Sequence, residues 1–446
     1  MTWLGLHVAL QRAGCDLSLV GTRHPARLRG AISGKRKSDV IAADVLPLAS
    51  DVFELSPLDP PQAAQLGLVA VGQRLEPDRA VVELTALPRA PRLDNGNTLS
   101  TARVRSKETT MKRRTVAFAM RSDELLAELL PASVLAELEN TAELLSRHAL
   151  TEFTSPEARR VLRETDVLIT GWGCPVIDAA VLAGAPRLRL VAHAAGTVKG
   201  HVSRAVWERG VQVTTAAQAN AGPVADYTLA FILLAGKRAF AAATQLATAQ
   251  GDFRKSSLPA DVGNYGTTIG IIGASRVGRL VLERLRPFKF DVLLATPELT
   301  RQQAAELGTT LVPLDELMSR SAVVSLHAPV LEETRGMIGR AQLAAMPNGA
   351  TFINTARGAL VDHDALREET TSGRISAILD VTDPEPLPTG DPLYDLPNVI
   401  LTPHIAGSMG NELSEMGEYA VREVQRFAAG EPLAYPVTIT DLETAA

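Results

Sequence analysis

The sequence predicts an α/β protein built on parallel sheets and divided into more than one domain. Three observations carry this. From Val116 onward, short apolar runs alternate with longer amphipathic stretches, as happens when parallel strands are buried on both faces by helices. One such run passes directly into a turn and a helical pattern, Gly273-Ala274-Ser275-Arg276-Val277-Gly278. The length of 446 residues exceeds a single core and, at about 150 residues per domain, suggests roughly three units.

In chain order, strands are predicted over 115–119, 167–170, 190–194, 268–273, 292–295, 323–327, 350–354, 376–381 and 399–402. A helix start is legible at Ser155-Pro156-Glu157, where Ser caps, Pro fits the first turn and Glu complements the dipole. Another helix is expected over 279–288. Residues 1–110 read differently, as an irregular extension, with Pro57, Pro60, Pro61, Pro88 and Pro91 and a polar tract over 94–107.

Composition narrows the function classes. A net charge of −5 argues against a nucleic-acid partner, which demands a basic excess. The charge is uneven: residues 1–114 hold 17 basic against 11 acidic side chains, and the rest hold 28 against 39. Cys15 and Cys174 are the two cysteines, far apart and without ligand-like spacing, so neither a disulfide framework nor a metal site is expected and a reducing cytoplasm is the simplest compartment. Arg12 and Asp16 interrupt the apolar start, which disfavours a signal peptide. The most apolar run, 228–236, is too short for a membrane span.

The turn after the 268–273 strand has the context of a dinucleotide site. Gly273 permits the sharp bend, Gly278 permits close helix–strand packing, and the helix start at Ser275, Arg276 and Val277 offers N–H groups and a positive dipole to a pyrophosphate. Ser275 stands at the middle glycine position, where its Cβ holds the backbone back but its hydroxyl can donate. The next strand ends in Thr296 rather than in the acidic residue that binds ribose hydroxyls, so the repulsion that excludes a 2′-phosphate is missing. NAD is the expected cofactor, with NADP left open.

Three further strand ends read Ile353-Asn354-Thr355-Ala356-Arg357-Gly358-Ala359-Leu360-Val361-Asp362, Leu379-Asp380-Val381-Thr382-Asp383-Pro384-Glu385-Pro386-Leu387 and Leu401-Thr402-Pro403-His404-Ile405-Ala406-Gly407. With the glycine turn upstream, residues from Met111 to about Val437 resemble the D-2-hydroxyacid dehydrogenase family. The resemblance implies two Rossmann-like, doubly wound domains: a split substrate domain over 111–217 and 406–446, and a dinucleotide-binding domain over 218–405. It implies a catalytic set of Arg357, Glu385 and His404. Arg357 suits a substrate carboxylate, being permanently charged and able to bind two oxygens. His404 suits proton transfer at working pH, and Glu385 would orient its ring and favour its charged form. Further cofactor contacts implied are His327, Ala328, Pro329, Thr334, Thr355, Ala356, Asp380 and Gly407. Ala195, Gly196 and Thr197 match the loop that binds the substrate carboxylate, and Asn220 to Asp226 match the start of the interdomain helix.

The implied reaction is hydride transfer between NAD(P) and a D-2-hydroxy acid, in a homodimer without membrane or nucleic-acid partners. The alternative on the same fold is a non-catalytic, dinucleotide-sensing protein of the corepressor type. Glu385 stands where formate dehydrogenases carry Gln, and only 42 residues follow His404, which disfavours a phosphoglycerate dehydrogenase with a regulatory C-terminal domain. In the leader, Lys37-Ser38-Asp39 resembles a segment of DEDD-type insertion-sequence transposases over about residues 1–90, with Ala42 in place of the second carboxylate. The leader is expected to take no part in the chemistry, with Met111 a possible start of the enzyme portion.

Overall fold

A computed structural model describes residues 17–18, 68–76, 79–86, 113–250, 254, 258–260 and 262–444. It divides into two units, Met1–Lys107 and Glu108–Ala446. In the first, β1 (Leu17–Ser18), β2 (Leu68–Glu76) and β3 (Arg79–Ala86) form one sheet, in which β1 runs parallel to β2 and β2 pairs antiparallel with β3. Within the extension that the sequence marks as irregular, the described residues form this small sheet. Val69, Val71, Val81 and Val82 supply strand-forming character, and the five prolines all lie outside the two long strands. The transposase-like segment around Asp39 and Ala42 lies outside the described residues.

The second unit opens with a five-stranded parallel sheet in the order β5-β4-β6-β7-β8, made of β4 (Arg114–Ala119), β5 (Ala142–Leu150), β6 (Val167–Thr170), β7 (Leu190–His193) and β8 (Gln212–Thr215). Its helices are α1 (Asp123–Leu129), α2 (Ala132–Thr141), α3 (Pro156–Glu164), α4 (Ala179–Gly184) and α5 (Ala205–Glu208). Alternate residues point to opposite faces. Val116, Phe118, Val167, Ile169, Leu190 and Ala192 pack against Leu125, Leu129 and Leu138 of α1 and α2. Ala117, Leu168, Val191 and Val213 pack against Val161, Leu162 and Leu182 of α3 and α4. Ser155 caps α3 through the Ala158 N–H, with Pro156 in the first turn, as expected.

Two helices, α6 (Ala217–Gly236) and α7 (Ala239–Ala249), lead to a seven-stranded parallel sheet. Its elements are β9 (Thr268–Ile272), α8 (Arg276–Leu285), β10 (Asp291–Ala295), α9 (Arg301–Glu306), β11 (Thr310–Leu311), α10 (Leu314–Arg320), β12 (Val323–Leu326), α11 (Arg340–Ala345), β13 (Thr351–Asn354), α12 (His363–Thr371), β14 (Ser376–Leu379) and β15 (Val399–Leu401). The order is β11-β10-β9-β12-β13-β14-β15. One face buries Val324, Leu326, Phe352 and Leu379 under α10, α11 and α12. The other buries Ile269, Ile271, Leu294 and Ile353 under α6, α8 and α9.

Helix α13 (Leu413–Ala429) returns to the five-stranded sheet, where Met416, Ala420 and Val424 join its core. Gly417 makes that approach possible: a Cβ there would lie 1.8 Å from the Leu129 carbonyl oxygen. The chain ends in α14 (Ile439–Thr444). In each sheet the chain winds outward in both directions, reversing between β4 and β6 and between β9 and β12. Open parallel sheets of this kind bind ligands beyond the carboxyl ends of their strands at such points.

Candidate active site

Every residue singled out in the cofactor turn sits at the carboxyl end of β9 or on the first turn of α8. Gly273 has φ +93°, and a Cβ on it would stand 2.7 Å from the Ala328 nitrogen. A Cβ on Gly278 would stand 2.4 Å from the Gly273 carbonyl oxygen. Both positions therefore exclude a side chain through backbone contact. Helix α8 begins at Arg276, three residues before the expected 279, because Ser275 is its N-cap and accepts the Gly278 N–H at 3.4 Å. The N–H groups of Arg276 and Val277 have no acceptor in the helix and point out of its positive end. This cradle of close-packed glycines and unpaired N–H groups fits a dinucleotide pyrophosphate.

Thr296 lies beside the turn, since Ala295 pairs with Ile272 across the sheet. It is partly exposed, and its Oγ1 accepts the Glu298 N–H at 3.5 Å. His327 is buried next to Gly273 and Gly278; its Nε2 meets Ser325 Oγ at 2.9 Å, and burial pushes its pKa down to about 3, so the ring is neutral. Thr334 braces the loop after β12, donating to the Pro329 carbonyl at 2.7 Å and accepting the Leu331 N–H at 2.7 Å.

At the end of β13, the fully buried Asn354 holds the next turn from both sides. Its Oδ1 accepts the Ala356 N–H and its Nδ2 donates to the Arg357 carbonyl, each at 3.0 Å. Thr355 Oγ1 meets Thr228 Oγ1 of α6 at 3.0 Å. Arg357 is half-buried; burial lowers its pKa from the ordinary arginine value and the Glu385 carboxylate opposes that shift. Gly358 lets this turn close on the segment after β14, for a Cβ there would lie 2.0 Å from the Thr382 carbonyl carbon.

That segment carries Glu385, and Glu385 Oε1 meets His404 Nδ1 at 2.6 Å. Both side chains are roughly half exposed, at 42% and 48%. No acceptor among the described residues occupies His404 Nε2. His404 itself has φ +56°, an uncommon conformation for a residue with a side chain. The buried carboxylate of Asp380 pins the loop that enforces it: Oδ1 accepts the Thr402 hydroxyl at 2.7 Å and the Ile405 N–H at 2.8 Å, and Oδ2 accepts the Ala406 N–H at 2.9 Å.

The loop after β7 offers backbone rather than charge. The N–H groups of Ala195, Gly196 and Thr197 meet no acceptor among the described residues, while Thr215 Oγ1 fixes the loop by donating to the Ala195 and Gly196 carbonyls at 2.8 and 3.0 Å. Three successive unpaired N–H groups form a concavity suited to an anion. Asn220, three residues inside α6, joins this loop to the one bearing His404. Its Oδ1 accepts the Ser408 N–H at 2.8 Å and would stand 2.8 Å from a Cβ on Gly407, while a Cβ on Gly196 would meet its Nδ2 only at a contact distance of 3.4 Å. The sequence marks Asn220 only as part of the interdomain-helix start and Asn354 only as part of its motif, and neither is read there as a brace. Asp226 leaves the site altogether and pairs with Arg284 of α8 at 2.5 Å. Among the described residues no cluster of side chains suits a metal ion.

Comparison with known proteins adds to this geometry. The family described as D-isomer specific 2-hydroxyacid dehydrogenase, NAD binding domain, matches residues 229–406. The chain is 33% identical over 311 residues to D-3-phosphoglycerate dehydrogenase of Mycobacterium tuberculosis, covering 69% of this chain and 57% of that protein. It is 34% identical over 313 residues to glyoxylate reductase of Korarchaeum cryptofilum, covering 68% of this chain and 91% of that protein. Among solved structures, a phosphoglycerate oxidoreductase from Rhizobium etli superposes with a TM-score of 0.61 at 26% identity, over 73% of this chain and 99% of that one. The chain thus spans little more than half the length of the mycobacterial relative and nearly all of the archaeal one. It belongs to the D-isomer specific 2-hydroxyacid dehydrogenase family.

Proposed function

We propose that this chain interconverts a D-2-hydroxy acid and its 2-oxo acid with a nicotinamide dinucleotide. The observation that carries the proposal is the His404 Nδ1 to Glu385 Oε1 contact of 2.6 Å, with the Glu385 carboxylate also near enough to Arg357 to act on its charge. The nicotinamide, when bound, supplies or accepts the hydride. In the reductive direction His404, protonated on both nitrogens, delivers the Nε2 proton to the oxygen that becomes the alcohol, while Glu385 holds the ring through Nδ1. Arg357 binds the carboxylate and polarises the carbonyl. The Ala195, Gly196 and Thr197 N–H groups take the remaining carboxylate charge. In the oxidative direction neutral His404 accepts the alcohol proton.

Gly273, Ser275, Arg276, Val277 and Gly278 would hold the pyrophosphate, and Thr296 the adenosine ribose. His327, Ala328 and Pro329, with Thr355, Ala356 and Gly407, would line the rest of the cofactor groove; Thr334 and Asp380 shape that groove by bracing loops. Without a carboxylate at Thr296, both NAD and NADP are accepted. Residues 111–217 and 406–446 serve as the substrate domain and 218–405 as the cofactor domain. The working form is a cytoplasmic homodimer, with α7 as its contact surface: its eleven residues include no charge, none is buried, and Phe240 and Leu246 are exposed. No single helix among the described residues is long and apolar enough to cross a membrane. Residues 1–110, with their transposase-like stretch, stand outside the chemistry.

The test is a panel of 2-oxo acids including glyoxylate, with NADH and NADPH, and D-3-phosphoglycerate in the oxidative direction. His404→Ala should lower kcat by about 10²–10⁴-fold, and Arg357→Ala should act chiefly on kcat/KM. Turnover of no acid by the wild type, or full kcat in the His404 variant, would sink the proposal.

A further inference from the structure

Outside the catalytic set, the structure buries a histidine directly behind the segment that carries Glu385. His363 is the first residue of α12, capped by Asp362, and is 7% exposed. Its Nδ1 lies 3.1 Å from the Val361 carbonyl, and its Nε2 accepts the Asp383 N–H at 3.3 Å. A carbonyl on one nitrogen and an N–H on the other assign the neutral tautomer with the proton on Nδ1. Asp383 is two residues from Glu385, so this bond fixes the start of the segment whose carboxylate orients His404. The other restraints on that segment are the Thr382 hydroxyl, donating to the Pro384 carbonyl at 2.8 Å, and the packing of Gly358 on the Thr382 backbone.

We propose that His363 is a positioning residue for the Glu385–His404 pair, and that protonation of its ring releases the 382–385 segment. A protonated Nε2 becomes a donor facing another donor, the Asp383 N–H, and the bond that places Glu385 is replaced by repulsion. The charged and titratable groups around the ring are few. Arg367 disfavours its charged form, while Asp383 and Asp391 favour it. Arg367 is itself bound to Asp391 through Nε and Nη2, and to Asp364 through Nη1. Burial outweighs these, and the ring's pKa lies below its ordinary value. The helix N-terminus on which the ring sits also disfavours a cation.

The consequence is a pH dependence with an unusual sign for this chemistry. Reduction of a 2-oxo acid needs His404 protonated, so acidification should not slow it through the His404 ring. Release of the Glu385 segment by His363 should, and it would give the reductive kcat an acid limb.

The inference rests on the proposed role of His404, so the experiment reads both turnover and the imidazole itself. Two variants separate the functions of the ring nitrogens. Asn at 363 mimics Nδ1 and lacks the acceptor; Gln places an oxygen near Nε2 and cannot titrate. His363→Asn should lower reductive kcat about fivefold, the loss of one hydrogen bond, with cofactor KM unchanged. It should also move the ¹⁵N resonance of His404 Nδ1 away from its strongly hydrogen-bonded position. His363→Gln should restore both and abolish the acid limb. Wild-type kcat and His404 resonances in the Asn variant, or an unchanged acid limb in the Gln variant, would overturn the proposal. If the wild type turns over no acid, the reaction reading fails separately, while the His404 resonances still decide the positioning role. If His363→Asn does not fold, the acid limb of His363→Gln decides it.

Discussion

The five-stranded and seven-stranded sheets are wound alike, yet their strand ends offer different chemistry. The seven-stranded sheet presents charged side chains, Arg357 after β13, Glu385 after β14 and His404 after β15. The five-stranded sheet presents backbone N–H groups, at Ala195, Gly196 and Thr197 after β7, that meet no acceptor among the described residues. Under the proposed mechanism a side chain that moves a proton must be held at one position, and the first set is braced by Asn354, Asp380 and Gly358. A backbone concavity needs only a bend, which Thr215 maintains by bonding two carbonyls. The braces thus gather at the charged side chains, and Asn220 ties the two kinds of loop together through the Ser408 N–H.

The sharpest way to break this comparison is acid, because both sheets depend on neutral buried histidines. His193, at the end of β7, is held at about 3 by burial and by His201 nearby; His327, after β12, is held at about 3 by burial. His363 is shifted in the same direction. In each case the unfolded chain takes up its proton first, near the ordinary value of about 6.5. Stability is therefore complete above that pH and falls as pH drops towards 3. For His193 and His327 the loss should be about 1.4 kcal/mol per pH unit each between pH 6 and 4. Melting temperatures recorded across that range should fall steeply, and His193→Gln or His327→Gln should each flatten the slope. A melting temperature independent of pH from 7 to 4 would contradict the burial of neutral rings in either sheet.

Much of this arrangement was legible before the fold was seen, and the parts that were not share a cause. Strands buried along their whole length, such as β6 and β12, are mostly apolar runs and were placed within a residue of their bounds. Strands β5, β8 and β11 escaped: each lies at a sheet edge and is either broken by polar residues, as in Ala142–Leu150 and Gln212–Thr215, or only two residues long, whereas the edge strand β15 is the unbroken apolar run Val399–Leu401. Catalytic candidates were legible because each follows a strand in a motif of several residues. Their supports were not: Asn220, Asn354 and His363 act through one or two hydrogen bonds each, across 2 to 188 positions of sequence. The left-handed backbone of His404 had no signal at all, since its cause is the Asp380 carboxylate beneath the loop.

A smaller effect sharpens the same contrast between rigid and permissive loops. Gly278→Ala drives a Cβ into the Gly273 carbonyl, 2.4 Å away with no side chain to yield. It should cost about 1–3 kcal/mol and weaken NADH binding. In Gly196→Ala the nearest atom is Asn220 Nδ2 at 3.4 Å, the far end of a side chain. That variant should stay within about 0.5 kcal/mol of wild type and bind NADH normally. Thermal melts with NADH fluorescence titrations distinguish them, and equal effects would mean that the two loops are equally constrained.

The smallest expected effect concerns Ser275, where two requirements compete for one position. As N-cap it takes the Gly278 N–H, at a rather long 3.4 Å, and so satisfies a helix end that would otherwise rely on water. As the middle residue of the turn it places a Cβ where a glycine would let the backbone approach the pyrophosphate. Ser275→Gly should therefore lose only a few tenths of a kcal/mol in stability, about the cost of replacing a serine cap by glycine, and should tighten NADH binding about twofold. Weaker binding in that variant would mean instead that the hydroxyl reaches the phosphate. The cap would then be a resting position from which Ser275 turns to the ligand, and the seven-stranded sheet would offer side-chain chemistry at its glycine turn as well as at the loops bearing Arg357, Glu385 and His404.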